Sequence, residues 1–187
     1  MAVDTVAPTE IVDFWRKAGR ARWFAADPVF DAEIRKRFEQ AHLAAAAGLD
    51  EAWATNAKGA LAFLLLTDQF PRNLYRGSAH AFATDPLART MADRALAAGF
   101  DRAIGPKLRM FFYLPFQHHE NAASQARSIM LFMRHRELAG DDEALRYASM
   151  YTDLFARFGR FPQRNAVLGR ESTAEELDYL ANGGFID

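Results

Sequence analysis

The stretch Asn56-Ala57-Lys58-Gly59-Ala60-Leu61-Ala62-Phe63-Leu64-Leu65-Leu66-Thr67-Asp68-Gln69-Phe70-Pro71 decides the fold class. Leu61, Leu64, Leu65 and Leu66 cover so much of a helical circumference that a helix from Asn56 to about Gln69 reads as the central, most buried element. Thr55 is placed to cap its start, and Pro71, which has no amide N–H, to end it.

Outward from this segment the punctuation stays helical. Thr9 precedes a face of Ile11, Phe14 and Trp15 that stops at Gly19. Asp27-Pro28 pairs a cap with proline at the first helical position and opens a helix with Phe30, Ile34, Phe38, Ala41 and Ala45 on one stripe, closed by Gly48. Asp85-Pro86 repeats that signal, with Gly99 as the stop. Gly105-Pro106 opens a run carrying Leu108, Phe111, Phe112 and Leu114, which Pro115 interrupts. Asn121 is a cap for a helix with Ile129, Phe132 and Met133, ending at Gly140. Asp141 or Asp142 starts another, with Leu145, Ala148, Tyr151, Phe155 and Phe158, ending at Gly159. Ser172-Thr173-Ala174-Glu175-Glu176 holds two overlapping capping boxes before a short helix into Gly183-Gly184. No stretch alternates with β-branched enrichment, so the expectation is all-α with about eight helices and no sheet. The short links favour antiparallel hairpins of the tetratricopeptide kind, although the 34-residue consensus of that repeat is not visible.

Composition bounds the function classes. The 187 residues are half apolar, with 16 Phe and 3 Trp, which suits a single domain, 1–187, with a large core. A net charge of −1 supplies no global field for nucleic acid or for an anionic membrane. The absence of cysteine excludes disulfides, thiolate metal sites and cysteine nucleophiles, and allows a cytoplasmic location. Met1–Glu10 reads as neither a signal nor a transit peptide. The longest apolar run, Ala60–Leu66, falls far short of the roughly 20 residues of a membrane helix.

Two segments share a pattern. Gln69-Phe70-Pro71-Arg72-Asn73-Leu74-Tyr75-Arg76-Gly77-Ser78 and Arg160-Phe161-Pro162-Gln163-Arg164-Asn165-Ala166-Val167-Leu168-Gly169-Arg170 each give Phe-Pro, then Arg-Asn, then an apolar pair near Gly and Arg. Proline stops a helix, phenylalanine anchors the turn, and Arg-Asn faces what the turn encloses. Arginine presents a planar fork of donors suited to carboxylate or phosphate, and asparagine both donates and accepts. Arg72, Asn73, Arg76, Arg160, Arg164, Asn165 and Arg170 are therefore the candidate ligand-binding residues. The same groups serve equally well to satisfy orphan helix-end carbonyls, or to pair with Asp68 and Glu171.

A third segment, Leu114-Pro115-Phe116-Gln117-His118-His119-Glu120, offers His118 with Glu120 as a candidate acid/base pair, a carboxylate orienting an imidazole. Adjacent histidines point about 100° apart on a helix and no HExxH spacing exists, so neither a metal nor another cofactor is expected. His42, His80 and His135 read as solvated. Trp15, Trp23, Phe24 and Trp53 read as packing aromatics, and no GxGxxG, GxxxxGK or GxSxG motif is present.

These residues carry a resemblance. The runs Asp68-Gln69-Phe70-Pro71-Arg72-Asn73, Tyr75-Arg76-Gly77 and Ala81-Phe82, then Leu114-Pro115-Phe116 with His118 and Glu120, then Phe158-Gly159-Arg160-Phe161-Pro162, Arg164-Asn165 and Leu168-Gly169-Arg170, resemble the bacterial domain of unknown function 924. Phe14-Trp15, Trp23-Phe24, Asp27 and Phe30-Asp31 resemble its opening, while His119 stands where that family is expected to have serine. The resemblance implies a tetratricopeptide-like helical fold and no established activity. The functional expectation is a non-enzymatic module that binds a small anion, a phosphorylated metabolite or a peptide carboxylate, with both loops and the His118–Glu120 segment lining one concave site. The alternative is a hydrolase or transferase acting on an anionic substrate through His118 and Glu120.

Overall fold

The computed structural model describes residues 6–48 and 51–184, and among them the fold is all-α with no strand. The chain forms two compact units, one of Met1–Arg76 with His80–Pro115 and one of Gly77–Ala79 with Phe116–Asp187.

In the first unit, α1 (Pro8–Ala18), α2 (Arg20–Trp23) and α3 (Pro28–Ala46) precede α4 (Ala57–Leu64). Gly59 through Leu66 are buried without a break, as the apolar circumference requires. Helices α1 and α6 (Asp85–Ala97) both pack on α4. The 3-10 turn Glu51–Thr55 passes so close to α4 that a Cβ on Gly59 would lie 2.1 Å from the Trp53 carbonyl oxygen. The α3 stripe is realised except at Ala41, which is partly buried: Phe30, Ile34, Phe38 and Ala45 are fully buried. Around them stack Phe14, Trp15 and Phe70, with the Phe38 and Phe70 rings 5.1 Å apart. Trp15 and Trp23 are core residues, whereas Phe24 is exposed.

Several expected helix ends move. Ala7, not Thr9, is the N-cap of α1, with Pro8 in the first turn. Asn56, not Thr55, caps α4 by accepting the Gly59 N–H at 3.0 Å. Thr84 precedes α6, so Asp85 lies inside the helix and its carboxylate is used elsewhere. Pro71 does not end the helix. The chain passes through a π-helical turn, Leu65–Gln69, directly into α5 (Phe70–Leu74). The Phe70 N–H reaches back five residues to the Leu65 carbonyl. In the α register that α5 resumes, an N–H at position 71 would meet the Thr67 carbonyl, and that oxygen instead accepts the Thr84 hydroxyl at 2.6 Å. His42 is buried against the Leu66 carbonyl, with Nδ1 at 2.8 Å, rather than solvated. Burial lowers its pKa.

Two short α-helices follow, α7 (Pro106–Arg109) and α8 (Leu114–Gln117). In the second unit α9 (Ala122–Ala139) and α10 (Asp142–Phe158) pack against each other. Their caps are as expected: Asn121 accepts the Ser124 N–H, Asp141 accepts the Ala144 N–H, and Gly140 and Gly159 end the helices at φ 67°. The buried side of α9 is unexpectedly polar, carrying Gln125, Ser128 and His135 beside Phe132, while Met133 is exposed. Gln125 explains part of this by donating to the carbonyls of Gln117 and His119 at 2.8 and 2.7 Å. His135 is likewise buried, with Asp141 at 3.5 Å. A 3-10 turn, Pro162–Arg164, leads toward α11 (Ala174–Ala181), where Thr173 and Glu176 complete one of the two possible capping boxes. No helix among the described residues is long and apolar enough to cross a membrane.

Candidate functional site

The first Arg-Asn loop begins on the π-helical turn. Arg72 projects one turn beyond Asp68, donates Nη1 to the Asp68 carbonyl, and forks onto Asp85 at 3.1 and 3.2 Å. The carboxylate of Asp68, itself buried, lies 3.7 Å from Arg72 and accepts the Gln69 amide. Asn73 donates to Asp31 Oδ1 at 2.7 Å, and Arg76 clasps the same carboxylate at 3.0 and 3.1 Å. Asp31 thus ties both the Asn and the far Arg of this loop to the first turn of α3.

The second loop repeats the device with different acids. Arg160 forks onto Glu176 at 2.6 Å through both Nε and Nη2, and Nη2 also reaches the Glu171 carbonyl at 2.9 Å. Asn165 donates to Ser172 Oγ at 3.0 Å and to Glu176 at 3.2 Å. Arg170 clasps Glu120 at 2.6 and 2.9 Å, and also donates to the Asn165 side chain and the Phe161 carbonyl. Arg164 is buried, donates to the His118 carbonyl at 2.9 Å, and lies over the Phe161 ring at 4.9 Å. Arg160, Arg164, Asn165 and Arg170 therefore gather with His118 and Glu120, whereas Arg72, Asn73 and Arg76 belong to the first unit.

Electrostatics follow from these contacts. The Arg160 hydrogen bonds, opposed by burial and helped by the Thr173 N–H, lower the pKa of Glu176 to about 2. Burial works against ionisation of Glu120. The Arg170 hydrogen bonds, the Phe161 N–H at 2.7 Å and the charges of Arg170 and Arg164 outweigh it and hold this carboxyl below its ordinary range. Both Glu120 oxygens are thus engaged by Arg170, and one also by the Phe161 N–H. The His118 ring lies 6.0 Å from Tyr151 and is buried. The expected partner Asp68 does meet its arginine, while Glu171 contributes its carbonyl to Arg160. Sequence reasoning missed Asp31, Asp85 and Glu176 as the acids of the loops. Of these, only Glu176 carried a signal, its capping-box position.

Residues 11–184 match the model described as bacterial protein of unknown function, DUF924. The chain belongs to the DUF924 family. A solved structure, that of the protein of unknown function ATU0120 from Agrobacterium tumefaciens, is 48% identical. The similarity covers 94% of this chain and 97% of that one, with a TM-score of 0.89. No curated protein matches the sequence. Among the described residues of this DUF924 chain, no group of three or more His, Asp or Glu side chains gathers to hold a metal ion.

Proposed function

We propose that this DUF924 protein is a non-enzymatic binding module on tetratricopeptide-like helical hairpins, and that it takes a small oxyanion, phosphate or carboxylate, at its Arg-Asn loops. One observation carries the reading. In the second loop three guanidinium groups converge on one short segment: Arg160 forks onto Glu176, Arg170 onto Glu120, and the buried Arg164 donates to the His118 carbonyl. Its arginines are also held in place by the hydrogen bonds described above, which removes much of the ordering cost of binding. The first loop sets two arginines, Arg72 and Arg76, against three aspartates, Asp31, Asp68 and Asp85, and is the weaker candidate.

The test is calorimetry and thermal shift with inorganic phosphate, pyrophosphate and a peptide bearing a free carboxylate, on wild type and on an Arg72→Ala, Arg164→Ala double variant whose helicity is checked by circular dichroism. Saturable stabilisation of wild type and none of the variant supports the reading, and identical responses overturn it. A catalytic reading survives on the closeness of the His118 backbone to Arg164. It requires His118 to act as the base although Arg170 occupies Glu120. Loss of turnover of a phosphate or acyl ester on His118→Gln substitution would favour it.

A further inference from the structure

Helix α11 belongs to the second unit and packs there by a narrow stripe in which Tyr179 and Leu180 are only partly buried. A surface helix ordinarily holds on through an apolar stripe, and an eight-residue helix alone is marginal in water. The buried residue of α11 is instead the acidic Glu176, 2% exposed, while the neighbouring Leu177 is 57% exposed. Tyr179 packs on the Phe158 ring at 5.3 Å, and both are only partly buried. A second ion pair, Arg157 to Glu175 at 2.8 Å, is exposed on both sides and holds little. Glu176 in the Arg160 fork is thus the most buried anchor of α11, beside the partial packing of Tyr179.

That carboxylate is bound as a ligand would be. Two parallel N–H groups of Arg160 meet its two oxygens, and the Asn165 amide adds a third donor from the loop. A free carboxylate or phosphate arriving at this loop would seek the same donors. We infer that Glu176 is a built-in occupant of the oxyanion site and that α11 is an autoinhibitory latch, which must lift its carboxylate out before an external oxyanion binds. The inference rests on the anion-binding reading of the second loop and adds its regulation. An external oxyanion then binds with an affinity reduced by the fraction of molecules whose latch is open. By reciprocity, ligand binding favours the undocked helix. Undocking also separates Tyr179 from Phe158, so occupancy of the site is converted into exposed aromatic surface.

The test uses the full chain, with inorganic phosphate as the probe. Amide hydrogen exchange over 177–182 and calorimetric phosphate affinity are measured for wild type, Glu176→Gln, Leu177→Gln as the control, and an Arg160→Gln, Glu176→Gln double variant. The expected result is that saturating phosphate accelerates α11 exchange in wild type at least tenfold. Glu176→Gln is expected to exchange fast without phosphate and to bind it at least tenfold tighter, an advantage that the added Arg160→Gln removes. Leu177→Gln should behave as wild type. Phosphate binding that leaves α11 exchange unchanged overturns the latch alone. Absence of phosphate binding in every protein overturns the anion site and the latch with it.

Discussion

The hydroxyl of Thr84 stands 2.6 Å from the carbonyl oxygen of Thr67, the oxygen that a helical N–H at position 71 would otherwise have met. Both residues are buried, so this bond lets a proline sit inside a continuous buried helical path with no orphaned acceptor at that point. The next carbonyl, that of Asp68, accepts from Arg72. The first Arg-Asn loop thus grows out of helix repair. Thr84→Val is expected to cost about 1–3 kcal/mol, the cost of a buried unsatisfied acceptor. Urea denaturation would measure it. Adding Pro71→Ala should recover part of the loss by returning an N–H to Thr67. A Thr84→Val protein as stable as wild type would show that the bond contributes nothing.

Gly59 is expected to tolerate no side chain. Its absent Cβ would sit 2.1 Å from the Trp53 carbonyl oxygen, and the obstacle is backbone rather than the far end of a flexible side chain. Gly59→Ala gains helix propensity but must push the 3-10 turn Glu51–Thr55 away from α4. The net loss should be about 1–3 kcal/mol, the usual cost of overpacking. The midpoint of chemical unfolding reads it directly, and an unchanged or higher midpoint would contradict the close approach.

The sequence speaks clearly where a feature is local. Asp27 before Pro28, Asn121, Asp141, Gly140 and Gly159 each act within one turn of themselves, and all stand where their spacing put them. The Phe30, Ile34 and Phe38 stripe is equally local, because three- and four-residue spacing defines a helix face. Pro71 reads as a helix stop because its effect depends on Thr84, which lies beyond the helix and supplies a hydroxyl to the Thr67 carbonyl. His42 and His135 look polar in sequence, yet both are buried, His42 with Nδ1 on the Leu66 carbonyl and His135 with Nε2 3.5 Å from Asp141. The candidate site divides in the same way. The arginines announced themselves by repetition, but their acids, Asp31, Asp85, Glu120 and Glu176, are brought in by folding and carry no shared spacing.

Arg170 and Glu120 are expected to couple strongly. They lie fifty residues apart, form a two-point contact, and are each about a quarter exposed. Removing Arg170 leaves Glu120 half-buried with the Phe161 N–H, and also removes a donor from the Phe161 carbonyl. A double-mutant cycle with Arg170→Ala and Glu120→Gln should return a coupling of about 1–3 kcal/mol. Strict additivity would mean that the pair is incidental to the fold of the second loop.

Acid should loosen the second unit through Glu176. Its folded pKa of about 2 lies below the ordinary value of 4.5. A group depressed in this way contributes fully above about 4.5, and its contribution is lost as the pH falls through the folded value. Glu120, shifted in the same direction, adds to the same acid limb. Wild type should therefore lose stability progressively from about pH 4.5 toward pH 2, with exchange over α11 rising ahead of that over α10. Glu176→Gln should be less stable than wild type at pH 7 and should show a shallower loss in this window, since its side chain has no proton to take up. Unfolding curves collected at half-unit intervals of pH decide the matter. Parallel acid limbs for the two proteins would mean that other carboxyls, and not the Arg160 partner, govern the acid response.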